Sequence, residues 1–72
     1  MNQQGAENLA NAIILHAVKD YRIALDGRSV GGHDSKSVIA ECERFFRSEW
    51  FQILTNADGE YLITTIRKEY GL

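Results

Sequence analysis

Two histidines and one cysteine are the first candidates in this 72-residue chain for ligating a metal or acting as a nucleophile. His16 lies four residues before Asp20, which on a helix would form half of a metal site. His33 lies in a glycine-rich loop beside Asp34. Half-sites of this kind are common by chance, so we expect no metal and no cofactor, with His16 at an interface and His33 in solvent.

The lone cysteine, Cys42, excludes an intramolecular disulfide and a multi-cysteine zinc site. A nucleophilic cysteine needs a pKa lowered by a helix N-terminus or a cationic neighbour. Cys42 is predicted in mid-helix on an apolar face, where it packs as a small hydrophobic side chain. Because no catalytic motif is present elsewhere, we expect a protein that is not an enzyme.

Three arginines, Arg28, Arg44 and Arg47, are the candidates for binding an anion. Arg28 lies in the glycine-rich loop, which lacks the preceding strand and the Gly-Lys-Ser/Thr ending of a phosphate-binding loop. Arg44 and Arg47 are three residues apart, so both reach one side of a helix, and guanidinium groups bind phosphate or carboxylate in bidentate fashion. The alternative is that Glu41 and Glu43 pair with these arginines in ordinary exposed salt bridges.

An aromatic cluster lies beside these arginines, at Phe45, Phe46, Trp50 and Phe51. Interleaved arginines and aromatic rings can bind single-stranded nucleic acid by stacking. Neighbouring glutamates neutralise the stretch, and the net charge of the chain is −2. We therefore interpret the cluster as core with a partner contact.

A DNA-binding regulator is a further alternative, since a short helix over 48–54, a turn at 55–58 and a helix over 59–70 have the lengths of a helix-turn-helix. The second helix would begin with Asp58 and Glu60. Carboxylates at the end that should approach bases and phosphates disfavour this reading.

Glycines divide the chain into elements, and the apolar spacing within them predicts an all-α fold in a single domain, 1–72. One long N-terminal helix, Glu7–Asp26, is packed by two or three shorter helices in a small bundle. Residues 1–6 are expected to be disordered and 27–34 to form a flexible loop. The helices after it are predicted over Ser35–Arg47, 48–54 and 59–70, with a strand over 61–66 as the weaker alternative.

The predicted core joins the apolar stripe of the first helix to the later helices. Its members are Ile14, Val18, Tyr21, Leu25, Phe45, Phe46, Trp50 or Phe51, Leu54, Leu62 and Ile66. Asp34 or Ser35, Ser48, and Thr55 or Asp58 are the expected N-caps.

A second apolar face on the first helix requires an explanation. Leu9, Ala12, His16 and Ile23 project within about 60° of one another, opposite Ile14, at 100° per residue. Scattered exposed apolar residues are normal on proteins. A domain of this size rarely builds a generous core alone, however, so we interpret these four residues as partner-binding, most simply in a homo-oligomer.

The N-terminus has no basic stretch followed by an apolar run, and the longest apolar run, Ala12–Leu15, is far shorter than a membrane span. We therefore expect a cytoplasmic protein with no membrane contact.

The segments Ala12–Leu25, Glu41–Phe51 and Leu54–Ile63 resemble small uncharacterised proteins carried by phages and mobile elements of Gram-positive bacteria. The resemblance implies a mobile-element origin and a place in the host cytoplasm. By analogy with small phage proteins, it implies binding or inhibition of a host component, including parts of antiviral defence. The leading hypothesis is therefore a self-associating binding protein, with a small-anion or nucleotide binder and a DNA-binding regulator as alternatives.

Overall fold

The structure, a computed structural model, describes residues 3–72, and within the first helix it describes side chains from Leu9 onward. Four helices follow one another, with no strand among the described residues. They are α1 (Gln3–Leu25), α2 (Ser35–Phe46), α3 (Glu49–Leu54) and α4 (Gly59–Glu69). The predicted all-α class is confirmed, and the alternative of a strand over 61–66 is wrong, because this run continues the helix that begins at Gly59.

Helix α1 begins at Gln3, before the predicted start at Glu7. Glutamine and alanine are good helix formers, and the chain has no proline to stop the helix. Of the segment 1–6 that was expected to be disordered, residues 1–2 lie outside the described residues, and the remainder has helical backbone.

The end of α1 is set by Gly27, which has a φ of +87°. The Gly27 N–H donates to the Ala24 carbonyl and the Arg28 N–H to the Ile23 carbonyl, which is the bond pattern of a Schellman motif. Only glycine adopts this conformation without a Cβ penalty. The loop that follows is closed by two mutual hydrogen bonds between Val30 and His33, while its predicted flexibility stays a prediction.

The N-caps of the three shorter helices are Asp34, Ser48 and Asp58, each of which accepts a hydrogen bond from a backbone N–H in the first turn. The sequence left Ser35 as an alternative to Asp34 and Thr55 as an alternative to Asp58. In both cases the aspartate is the N-cap and has extended backbone. The short helix predicted over 48–54 is therefore separate from α2 and begins after its cap at Ser48.

The core lies where α1 crosses α2 and is closed by α3 and α4. Its buried members are Tyr21, Ala24, Val38, Cys42, Phe46, Phe51, Ile63 and Ile66. Phe51, and not Trp50, fills the aromatic position, with its ring centroid 5.7 Å from that of Phe46. Trp50 packs edge-on against Phe45 and remains 58% exposed. Among the other predicted members, Ile14, Val18, Leu25, Phe45 and Leu62 are partly buried against the core.

Helix α4 begins directly against the end of α2. A Cβ atom at Gly59 would overlap the Phe46 carbonyl oxygen, so a larger residue there would push the two helices apart. The missing side chain at Gly59 therefore sets how closely the two helices approach.

Candidate functional site

The predicted partner-binding residues, Leu9, Ala12, His16 and Ile23, form what we call the outer face of α1. Leu9 is 65% exposed, Ala12 and His16 are exposed, and Ile23 is half-buried. Leu15, at the border of this face, is 66% exposed. The described part of the bundle therefore leaves most of the outer face uncovered.

The N-terminal part of α1 extends beyond the bundle. Among the described residues of α1, none before Ile14 packs against the core, and the buried ones are Tyr21 and Ala24. A 23-residue helix is about 34 Å long, whereas the molecule measures 40 × 25 × 19 Å. Leu9 and Ala12 thus lie on the part of α1 that precedes the residues packed against the core.

A groove of about 410 Å³ runs along the C-terminal half of α1, next to the outer face. Its lining residues are Leu15, Val18, Lys19, Arg22, Ile23, Asp26, Arg28 and Tyr70. The floor is apolar and the rim carries three cations. Ile23 belongs to both the groove and the outer face, so the two surfaces are continuous.

Two cations of this groove, Arg22 and Arg28, lie beside the C-terminal ends of α1 and α4. Arg22 pairs with Glu69 at 3.2 Å, and Arg28 pairs with Asp26 at 3.2 Å. Cations at helix C-termini complement the helix dipoles, and exposed ion pairs contribute at most about 1 kcal/mol. Their positions are therefore accounted for by the helix ends, without a bound anion.

The three arginines predicted to bind an anion are not brought together. Arg47 pairs with Glu43 at 3.5 Å and with Glu60 in the first turn of α4, whereas Arg44 is exposed. Arg28 lines the groove together with Tyr70, the C-cap of α4, whereas Glu60, a partner of Arg47, lies at the N-terminal end of α4. The two ends of this helix are about 16 Å apart. Of the two expected glutamate pairs, the one between Glu43 and Arg47 is present.

A polar network inside the bundle was missed by the sequence reasoning. The Tyr21 hydroxyl donates to Glu43 Oε2 at 2.7 Å, and Arg67 Nη1 donates to the same oxygen at 2.9 Å. Burial of the ring, followed by the hydrogen bond to the Glu43 carboxylate, raises the pKa of Tyr21 to about 12. A buried tyrosine needs a partner for its O–H, which is the signal the sequence offered.

Neither histidine nor the cysteine belongs to a group of three or more potential metal ligands among the described residues. Cys42 is buried, its Sγ lies 3.7 Å from the Ala17 carbonyl oxygen, and burial raises the pKa of its thiol to about 11. A thiol with this pKa is a poor nucleophile near neutral pH.

Three further large apolar side chains are exposed on α3 and α4, namely Trp50, Ile53 and Tyr61. The lengths of α3 and α4 match the helix-turn-helix alternative, but the first turn of α4 is acidic and Glu60 is paired with Arg47. None of the described helices is long and apolar enough to cross a bilayer.

Comparison of the chain with protein-family models, curated proteins and solved structures finds no match.

Proposed function

We propose that this chain is a small non-enzymatic binding protein that self-associates through the outer face of α1. The observation that carries the proposal is the exposure of this face: Leu9 is 65% exposed, Ala12 and His16 are exposed, and Leu15 at its border is 66% exposed. Apolar side chains grouped along one projecting helix mark an interaction surface, whereas single scattered ones do not.

The surface area of the chain supports an interface of ordinary size. Folded monomers of 8.1 kDa expose about 4,500 Å², and this chain exposes 5324 Å². The difference, about 800 Å², is close to what each partner contributes to a standard protein interface. A second copy covering the outer face would bring the exposed area back to that of a compact protein.

The resemblance to phage and mobile-element proteins extends the proposal to a target in the host. In this proposal the oligomer binds a host protein, with a component of antiviral defence as the candidate class. Host cells that express the chain should lose protection against a phage to which their defence system responds. Unchanged protection across the defence systems of the host would contradict this extension and leave self-association standing.

Matched alanine variants test the interface. Ala12→Glu places a charge on the outer face, and Ala40→Glu makes the same change at an exposed position of α2. We expect Ala12→Glu to shift the protein from oligomer to monomer in sedimentation experiments, as should Ile23→Glu, while Ala40→Glu keeps the oligomer. Equal behaviour of the two alanine variants would contradict the proposed interface.

A further inference from the structure

The outer face of α1 is symmetrical about His16. Leu9 lies seven residues before His16 and Ile23 lies seven residues after it, so both occupy nearly the same side of the helix, each about 10 Å away. Ala12 and Asp20 lie four residues on either side. A two-fold axis through His16 would therefore place each Leu9 opposite the Ile23 of a second copy.

The two halves of α1 complement each other in shape. The half that carries Leu9 projects from the bundle, whereas the half that carries Ile23 borders the groove with its apolar floor of Leu15 and Val18. A projecting apolar segment and an apolar groove on the same helix are the two parts that an isologous contact needs.

Charge favours the antiparallel direction. Residues 9–15 of α1 carry no charge, whereas its C-terminal half carries Lys19, Asp20 and Arg22 and is followed by Asp26. A parallel pair would place Lys19 opposite Lys19 and align the two helix dipoles. An antiparallel pair places the charged half of each helix opposite the uncharged half of the other, so that no like charges face each other, and it opposes the dipoles.

We propose that two copies of this chain pair through α1 in antiparallel fashion, with the two-fold axis at His16 and Leu9 of each copy against Ile23 and the groove of the other. The inference rests on the proposed self-association and adds its geometry. Because each copy uses the same surface, the contact closes at two subunits and predicts a dimer with no larger species.

Disulfide cross-linking tests this geometry, because two cysteines bridge only when their Cα atoms are within about 7 Å. The variants are His16→Cys, Leu9→Cys and Ile23→Cys, oxidised with diamide. The native Cys42 is buried and its thiol pKa is raised to about 11, so the unmodified chain is the control and should not cross-link.

We expect His16→Cys to form a covalent dimer in most of the sample. Leu9→Cys alone and Ile23→Cys alone should stay uncrosslinked, because like positions are then about 21 Å apart along the helices. A mixture of the two should form a mixed disulfide dimer. Ala12→Cys mixed with Asp20→Cys is a second pair that leaves the apolar contacts in place.

The opposite pattern, in which Leu9→Cys and Ile23→Cys each cross-link alone and their mixture adds nothing, would overturn the antiparallel arrangement. No cross-linking by any variant, with an unmodified chain that sediments as a dimer, would also overturn it and place the interface elsewhere. An unmodified chain that sediments as a monomer would instead contradict the proposed function itself.

Discussion

The hydroxyl of Tyr21 offers a sharp test of what holds the bundle together. The Tyr21 side chain is fully buried, its ring lies edge-on to Phe46 at 5.5 Å, and its O–H donates to Glu43 Oε2 at 2.7 Å. The substitution Tyr21→Phe removes the O–H and keeps the ring. The Glu43 carboxylate retains Arg67 and Arg47 as partners, so it is not left unpaired.

The expected loss follows from these contacts. A hydrogen bond to a charged group contributes about 1.5–3 kcal/mol to stability. Since Glu43 keeps its two arginines, we expect Tyr21→Phe to lower the free energy of unfolding by about 2 kcal/mol, toward the lower part of that range. For a domain of this size, 1 kcal/mol shifts Tm by about 4–8 °C, so Tm should fall on the order of 10 °C.

The assay is denaturation of the purified protein, by heat and by urea, followed by circular dichroism at pH 7. The matched control is Tyr61→Phe, because Tyr61 is 72% exposed and no hydrogen bond holds its hydroxyl among the described residues. The control should stay within about 0.5 kcal/mol of the unmodified chain. A Tyr21→Phe variant as stable as its control would refute a stabilising bond between the two helices.

Three further outcomes follow from the structure. Because the pKa of Tyr21 is raised to about 12, the folded state keeps the phenol proton after the unfolded state has lost it. The contribution of Tyr21 to the free energy of unfolding should therefore be constant below pH 10 and fall by about 3 kcal/mol between pH 10 and 12. Urea midpoints should show this fall in the unmodified chain but not in Tyr21→Phe, and equal pH dependence of the two proteins would contradict it. Gly59→Ala should lower the free energy of unfolding by about 2 kcal/mol despite the better helix propensity of alanine, because the added Cβ meets a backbone carbonyl of α2. The control Thr64→Ala, on the exposed side of α4, should leave stability unchanged. A Gly59→Ala variant as stable as the unmodified chain would mean that the two helices can separate at no cost. Arg47→Ala removes the partner of two carboxylates and should lower Tm by a few degrees, whereas Arg44→Ala should leave Tm nearly unchanged. Equal changes in Tm would show that the ion pairs of Arg47 add nothing to stability.

The helices themselves could be predicted because their signals are local. Asp34, Ser48 and Asp58 cap the helices that follow them, and Gly27 ends α1, each through bonds to backbone a few residues away. Such signals are carried by residue type and short spacing, which the sequence displays directly.

The choice between Trp50 and Phe51 could not be predicted in the same way. Both lie in one short helix, and which of the two faces inward depends on the angle at which α3 leaves α2 at Ser48. Once that angle is set, Phe51 reaches Phe46 and Trp50 is left at the edge. Adjacent aromatic residues give no periodicity to decide between them.

The polar network and the groove depend on residues far apart in the sequence. Glu43 is 22 residues from Tyr21 and 24 from Arg67, and the groove combines residues of α1 with Arg28 and Tyr70. Pairing over such separations is decided by helix packing. The outer face of α1, by contrast, depends only on the helical period, so its four residues could be placed on one side of the helix from their spacing, while their role in binding stays a prediction.

The most direct test of the central claim is the mass of the unmodified chain in solution. Sedimentation equilibrium at ~100 µM, with a dilution series below it, reports whether the chain associates, since modest interfaces reach micromolar affinity. The account predicts a species of about 16 kDa, twice the 8.1 kDa of one chain, that dissociates on dilution or with Ile23→Glu. A single species of 8.1 kDa at the highest concentration would contradict it.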